Sequence, residues 1–212
     1  MRRGVRSRPI GIRRGYWPSR CWQLSFPRRT VGWILLALAS GGFFRAVAAD
    51  QSDQPSEYEV KAAFLFNFTK FVEWPESAFE DSHSAIVIGI IGEDPFGDSL
   101  TRIVAGQKAQ GRAIAIVRYR RGDDLRHCHV LFISASERPS TARILAGLQD
   151  AGVLTVSDID GFAEAGGIMQ FVMRENRVRF VVNLGAATQS KLRVSAKLLA
   201  LAQVVNHSEA TR

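Results

Sequence analysis

The stretch from residue 153 to 205 limits the possible folds most, because it carries two β-like runs separated by only two residues. The runs are Ile168 to Arg174 and Arg177 to Asn183. Glu175-Asn176 between them has the length of a tight hairpin turn, and Asn tolerates a positive φ. An apolar stretch from Ser190 to Val205 then shows helical spacing and predicts a long buried helix. A strand, an antiparallel hairpin and a covering helix are half of a sheet-and-helix core.

The chain before this stretch alternates between apolar strand-like runs and amphipathic helical runs. Strands are predicted at Ala85–Ile91, Ala113–Tyr119, His127–Ser134 and Val153–Val156. Helices are predicted at Glu57–Trp74, at Pro95–Val104 with Asp94 as its N-cap, and at Ser136–Leu148. Such alternation favours right-handed crossovers between parallel strands. We therefore predict an α/β fold, a three-layer α/β/α domain whose mixed, mainly parallel sheet carries a C-terminal antiparallel hairpin.

Residues 1–49 have the composition of a secretory leader. They contain ten Arg, no Lys and no acidic residue, then a short apolar run at Val31 to Ala39 and the small-residue end Ala46-Val47-Ala48-Ala49. A basic region, an apolar region and an A-x-A-like site predict a cleaved signal peptide. The apolar run is too short for a membrane span of about 20 residues. We expect cleavage after Ala48 or Ala49 and an exported protein.

The leader also explains the charge of the whole chain, which has 28 basic and 20 acidic residues. Without the ten leader arginines, 18 basic and 20 acidic residues are left. These remaining residues have no basic excess, so their charge gives no argument for nucleic acid as a partner. The predicted division is a signal peptide (1–49), a flexible arm (50–56), one α/β domain (57–207) and a tail (208–212). Cys128 is the single cysteine after the leader, either buried and inert or available for intermolecular pairing.

The main candidate for chemistry is His127-Cys128-His129. Two histidines at i and i+2 on a strand share a face and could both bind zinc, but Cys128 would point the other way and no third ligand is evident. The alternative is the polar start of a strand with a buried thiol. The sequence contains no G-x-S-x-G and no H-E-x-x-H. We therefore predict no catalytic residue, no metal and no cofactor, and a zinc-dependent enzyme remains only an alternative.

Aromatic residues on the first helix and at its exit predict an interaction surface. This helix is apolar over more than one stripe, and aromatic residues are enriched at interface hot spots. The predicted interface residues are Phe66, Trp74, Pro75 and Arg174. The competing interpretation is that a neighbouring helix covers these aromatic side chains inside the domain.

Several segments in the same order resemble the YfiR family of exported proteins over nearly the whole chain after the leader. They are Tyr58-x-Val60-Lys61-Ala62-Ala63-Phe64-Leu65, Phe71-Val72-Glu73-Trp74-Pro75, Asp94-Pro95-Phe96-Gly97, Cys128-His129-Val130-Leu131-Phe132-Ile133, Leu154-Thr155-Val156-Ser157-Asp158, Gly166-Gly167-Ile168 and Ser195-x-Lys197-Leu198-Leu199.

The resemblance implies a three-layer domain and a regulatory role without enzymatic activity. It implies a periplasmic repressor that binds the periplasmic region of a membrane-bound diguanylate cyclase and that an outer-membrane lipoprotein can sequester. YfiR itself carries paired cysteines, which this chain lacks outside its leader, so redox control by an internal bridge is not implied here. A sensor kinase as partner, a homodimer, and a periplasmic module that senses a small molecule remain alternatives.

Overall fold

The computed structural model describes residues 55–205. The predicted leader, most of the predicted arm and the predicted tail lie outside these residues. Within them, no helix combines the length and the apolar character needed to cross a membrane.

The first helix, α1, runs over Glu57–Phe71 and begins at a capping box. The Ser56 hydroxyl accepts a hydrogen bond from the backbone N–H of Glu59, and the Glu59 carboxylate accepts one from the backbone N–H of Ser56. Each bond satisfies a donor that a helix start would otherwise leave free. The helix ends three residues before the predicted Trp74, because Val72–Glu73 leave it as a short strand, β1.

Two sheets contain all the strands of the described residues. Antiparallel β1 and β9 (Arg193–Val194) form the small sheet. The large sheet has the order β10-β8-β7-β6-β5-β2-β4-β3. Its strands are β2 (Ile86–Ile91), β3 (Lys108–Ala109), β4 (Arg112–Tyr119), β5 (Val130–Ile133), β6 (Leu154–Ser157), β7 (Met169–Arg174), β8 (Arg177–Asn183) and β10 (Gln203–Val205). All its pairings are parallel except β7 with β8 and β3 with β4.

Apolar side chains fill both faces of the large sheet. On one face, α1 and α2 (Asp98–Val104) cover a core that includes Phe68, Phe132 and Phe180. On the other face, a second core contains Leu131, Ile133 and Phe162, together with Leu145 of α3 (Thr141–Gly147). Side chains alternate between the faces of a strand, so a sheet covered on both faces needs the continuous apolar runs seen in β2 and β5. The α/β prediction, with a mixed and mainly parallel sheet, is confirmed.

The β7–β8 hairpin is where the sequence predicted it. Its turn residues Glu175 and Asn176 have φ of 50° and 57°, and two consecutive positive φ values characterise the type I′ turn that suits the twist of paired strands.

Three other predicted elements differ from the structure. Helix α2 starts at Asp98 with Gly97 at its N-cap, because the Asp94 carboxylate accepts from the Phe96 backbone N–H and pairs with Arg118 instead. Residues Leu125–His127 form a 3-10 turn, so the third strand begins only at Val130. The segment Ala135–Ser140, which contains Pro139, is also a 3-10 helix and precedes α3.

The prediction of a long C-terminal helix from Ser190 to Val205 is wrong. The chain forms α4 (Leu184–Gln189), β9, the single turn α5 (Ala196–Leu199) and β10. The break comes at Lys191, whose φ of 58° no right-handed helix accommodates. The apolar spacing did indicate burial, since Leu192 and Leu198 lie in the core.

Candidate functional site

A groove of about 480 Å³ lies beside strand β7 at the carboxyl end of β6. We call it the β7 groove. Its walls come from the first turns of α1, the turn after β6, and β7 itself. The side chains used below are Glu57, Tyr58, Lys61, Asp158, Asp160, Met173 and Arg174.

The turn after β6 is fixed by the hydroxyl of Ser157, the last residue of that strand. This hydroxyl donates to the Ile133 carbonyl oxygen at 2.6 Å and accepts from the Ile159 backbone N–H at 3.1 Å. Ser157 itself is fully buried. The two bonds hold the intervening Asp158 at the end of the strand, where its carboxylate meets α1.

Lys61 is the central side chain of this end of the groove. It is only 3% exposed, and its Nζ lies 2.7 Å from Asp158 Oδ2 and 2.6 Å from Glu57 Oε1. The Tyr58 hydroxyl donates to the same Asp158 oxygen at 3.0 Å, and the ammonium lies 4.4 Å from the centre of the Tyr58 ring. A buried charge requires such partners, because its desolvation costs several kcal/mol.

Protonation of the cluster follows from these contacts. Burial pulls the pKa of Lys61 down, but hydrogen bonds to Asp158 and Glu57 more than offset it, so the pKa is raised. Burial, and then the Asp158 charge, raise the pKa of Tyr58. Lys61 therefore stays charged and Tyr58 stays a neutral donor near neutral pH. Neither is poised as a nucleophile or a base, and the cluster acts as a rigid wall.

A second cavity, of about 570 Å³, lies where strands β2 and β5 begin and is lined by Phe79, Cys128 and His129. His129 Nδ1 accepts from the Val87 backbone N–H at 3.1 Å, which leaves Nε2 to donate to the Ala78 carbonyl oxygen at 3.1 Å. Its ring stacks on Phe79 with centroids 4.5 Å apart. Burial lowers the pKa of His129; the Ala78 bond raises it, and the Arg112 charge lowers it further.

The His-Cys-His segment is not arranged as a metal site. His127 is exposed on the 3-10 turn, whereas His129 is buried with both ring nitrogens hydrogen-bonded. The two side chains do not share a strand face, contrary to the sequence interpretation. Residues 55–205 contain no group of three or more His, Cys, Asp or Glu that could hold a metal ion. Of the two alternatives for Cys128, a buried thiol or one available for intermolecular pairing, the structure shows the buried thiol. Burial raises its pKa to about 12.

The four residues predicted as an interface are not brought together. Trp74 is 8% exposed, and its Nε1 donates to the His129 carbonyl oxygen at 3.1 Å, at the beginning of β5. Phe66 is half-buried beneath the ammonium of Lys70, and Pro75 is half-buried after β1. Arg174 is exposed and lines the β7 groove, at the opposite end of the parallel strands.

Sequence reasoning missed the pairing of Lys61 with Asp158. Two signals were present. Lys61, Leu65 and Phe68 recur at helical spacing, so Lys61 is a lone cation on an apolar helix face. Asp158 directly follows a fully buried strand. Neither signal identifies the other residue, because nothing local joins residues 97 positions apart.

Among the comparisons with known proteins, the family model alone gives an assignment. A search among curated proteins found no match. One solved structure, described as a conserved domain protein from Vibrio cholerae O1 biovar El Tor strain N16961, is 14% identical with a TM-score of 0.43, over 56% of this chain. The match covers 54% of that structure, so the chain spans about half of its length.

The model of the family described as YfiR/HmsC-like matches residues 58–203, which is almost the whole described domain. Proteins of this family are periplasmic regulators associated with diguanylate cyclases rather than enzymes. By this match, the chain belongs to the YfiR/HmsC-like family.

Proposed function

We propose that this protein is exported to the periplasm and inhibits a membrane-bound diguanylate cyclase by binding its periplasmic region. The family match over residues 58–203 carries the proposal. The composition of residues 1–49, which is typical of a leader, supports export.

The chemistry of the described residues favours binding over catalysis. The ionisable groups at the inner end of the β7 groove are already paired with one another. The Cys128 thiol has a pKa of about 12, so almost none of it is the reactive thiolate. His129 uses both ring nitrogens in hydrogen bonds to the backbone. Groups that are buried and hydrogen-bonded in this way stabilise the domain and are not available to act on a substrate.

The test is a co-production experiment in bacterial cells. The protein is produced together with a membrane-bound diguanylate cyclase that has a periplasmic region and comes from the same genome, and cellular cyclic di-GMP is measured by mass spectrometry. We expect cyclic di-GMP to fall when the protein is present. The matched control is a version lacking residues 1–49, which should stay in the cytoplasm and leave cyclic di-GMP unchanged. An equal level with either version contradicts the proposal.

Export is tested separately on the same cells. The N-terminus of the protein in the periplasmic fraction, determined by mass spectrometry, is expected at Ala49 or Asp50. An intact leader on a membrane-bound protein contradicts the export step and leaves the family assignment untouched.

A further inference from the structure

Strand β7 has an open edge where it borders the β7 groove. On one side it pairs with β8 along its whole length, from Met169 to Arg174. On the other side it pairs with β6 only at Met169 and Gln170. From Phe171 to Arg174, this second edge has no strand neighbour among residues 55–205.

The geometry of the hairpin turn shows which backbone groups face that edge. In a two-residue type I′ hairpin, the residues flanking the turn exchange hydrogen bonds with each other. Here these are Arg174 and Arg177, which are paired. Backbone direction alternates along a strand, so the N–H and C=O groups of Phe171 and Met173 point away from β8. The Phe171 N–H donates to the Ser157 carbonyl oxygen, because the parallel pairing of Gln170 with Ser157 requires that bond. The Phe171 C=O and both backbone groups of Met173 are left to point into the groove.

The groove therefore has the form of a site for strand addition. An unpaired strand edge forms one side, and the first turns of α1 with the turn at Asp158 form the other walls. An extended segment can bind such an edge through its own backbone, while side-chain contacts supply specificity.

Side chains on the two faces of β7 indicate the chemistry of that segment. Met173 is 43% exposed and shares a face with Phe171, which packs against Phe64 of α1. Phe171 is buried, so a segment lying beside β7 meets the apolar side chain of Met173 on this face. Met173 is one of the few large apolar side chains left exposed in the described domain.

The opposite face carries three arginines, Arg174, Arg177 and Arg179. None lies within 4.0 Å of a carboxylate oxygen among the described residues. Arg174 and Arg177 are directly opposite each other, and like charges in that position repel. An acidic side chain next to Arg174 would relieve this repulsion and could form a bidentate pair. At the other end of the groove, Asp160 favours a segment without an acid there.

We propose that the β7 groove binds an extended segment of the partner protein, which adds as a strand to β7. The segment places an apolar side chain against Met173 and an acidic side chain beside Arg174. This inference rests on the proposed function and names the surface through which it operates.

The backbone part is tested with two proline variants on opposite edges of the same hairpin. Proline removes one N–H, so Met173→Pro removes a donor facing the groove. Val178, directly opposite Met173, directs its N–H to the outer edge of β8, and Val178→Pro is the matched control. Binding of the purified cyclase periplasmic region is measured by calorimetry, and folding by circular dichroism. We expect Met173→Pro to weaken binding about tenfold or more and Val178→Pro about threefold or less.

The predicted contact between Arg174 and an acidic side chain is tested with variants that leave the backbone unchanged. These variants decide whether the groove binds the partner if a proline variant fails to fold. Arg174→Glu should weaken binding about tenfold, because it meets the acidic segment with a like charge. Arg179→Glu lies on the same face but on the other strand, and should have a small effect.

The outcomes separate this inference from the proposed function. If the wild-type protein binds the cyclase and both variants of each pair behave alike, the groove assignment is overturned while the proposed function stands. If the wild-type protein does not bind, the proposed function fails and this inference fails with it. If sedimentation shows a dimer that Met173→Pro separates, a second copy occupies the groove and the inference is overturned.

Discussion

Lys61 Nζ lies 2.7 Å from Asp158 Oδ2 and so joins the first helix to the turn after β6 across 97 residues. Removing the ammonium leaves the Asp158 and Glu57 carboxylates close together without a cation. Breaking a buried ion pair on one side costs about 3–5 kcal/mol, and the partial exposure of Glu57 puts this case at the low end. We expect Lys61→Met to lower the melting temperature by roughly 6–12 °C.

Lys197→Met is the control for this variant, because Lys197 is exposed and has no ion pair among the described residues. It should melt within about 1–2 °C of the wild type, in line with ordinary surface substitutions. Replacing both members of the pair, as Lys61→Met with Asp158→Leu, should recover part of the loss, since only the partly exposed Glu57 carboxylate is then left without its cation. A Lys61→Met variant with the melting temperature of the wild type would show that the ion pair contributes nothing to stability.

The buried His129 should make stability depend on pH. Its folded pKa is lowered, so below the ordinary value of about 6.5 the unfolded chain binds more protons than the folded one. The contribution of neutral His129 to the free energy of unfolding is fully present above pH 6.5. It is lost as the pH falls from there towards the folded pKa, by at most about 1.4 kcal/mol per pH unit. Urea unfolding at pH 7.5 and pH 5.0 measures the loss.

The variant His129→Asn should be less stable at pH 7.5 and should show a smaller change between the two pH values. Its amide oxygen can still accept from the Val87 N–H but carries no titrating proton. The exposed His83 offers the control His83→Asn, which removes a histidine and leaves the buried His129 and its hydrogen bonds in place. An unaltered pH dependence in the His129 variant would exclude this residue as the cause.

Trp74 separates the core interpretation from the predicted interface. Because its side chain is 8% exposed and hydrogen-bonded, we expect Trp74→Ala to cost about 3–5 kcal/mol of the free energy of unfolding. Thermal denaturation measures this. Trp74→Phe should cost less than Trp74→Ala, because it keeps most of the ring volume. It still loses the hydrogen bond to the His129 carbonyl oxygen.

The interface role of Phe66 and Pro75 stays a prediction and is measured in cells. Both are half-buried, so Phe66→Ala should melt closer to the wild type than Trp74→Ala does. If Phe66 contacts the partner, cyclic di-GMP should rise in cells that produce the variant. A stable Phe66 variant that lowers cyclic di-GMP normally removes Phe66 from the interface. A stable Trp74→Ala variant that fails to lower it would restore Trp74 as an anchor.

Gly167 has no room for a side chain. A Cβ there would lie 2.2 Å from Cε1 of Phe162, a ring that is 1% exposed in the second core. Gly167→Ala should therefore destabilise the protein by about 1–3 kcal/mol. Gly147, at the end of α3, has nothing within 4 Å of its Cβ position, and Gly147→Ala should be neutral or stabilising by up to about 1 kcal/mol. Equal chemical denaturation curves for both variants would contradict the steric account.

The parts of the fold that were predicted correctly have local causes. The β7–β8 hairpin was found because Glu175-Asn176 specifies its own turn and the flanking runs alternate. Strands β2 and β5 were found because a strand buried on both faces is apolar throughout. In these segments, neighbouring residues alone determine the structure.

The parts that were missed depend on distant residues. The apolar spacing from Ser190 to Val205 indicates burial but does not determine secondary structure. Two parts of this segment are extended because each pairs with the edge of another strand. Val194 pairs with Val72, and Val204 pairs with Val182. The same reason hid the β7 groove, since its walls are residues of α1, the turn after β6 and β7 that only the topology brings together.

The pairing of β9 with β1 and of β10 with β8 also determines when the domain can become complete. A ribosome makes the chain from its N-terminus, so β1 and the outer edge of β8 must wait for residues 193–205 before either finds its partner. Contacts between parts of a chain as distant as β1 and β9 form slowly, because closing a long loop costs entropy before any contact offsets it. Neither pairing can form before residues 193–205 have been made, and until then β1 and the outer edge of β8 keep open backbone groups that other chains can bind.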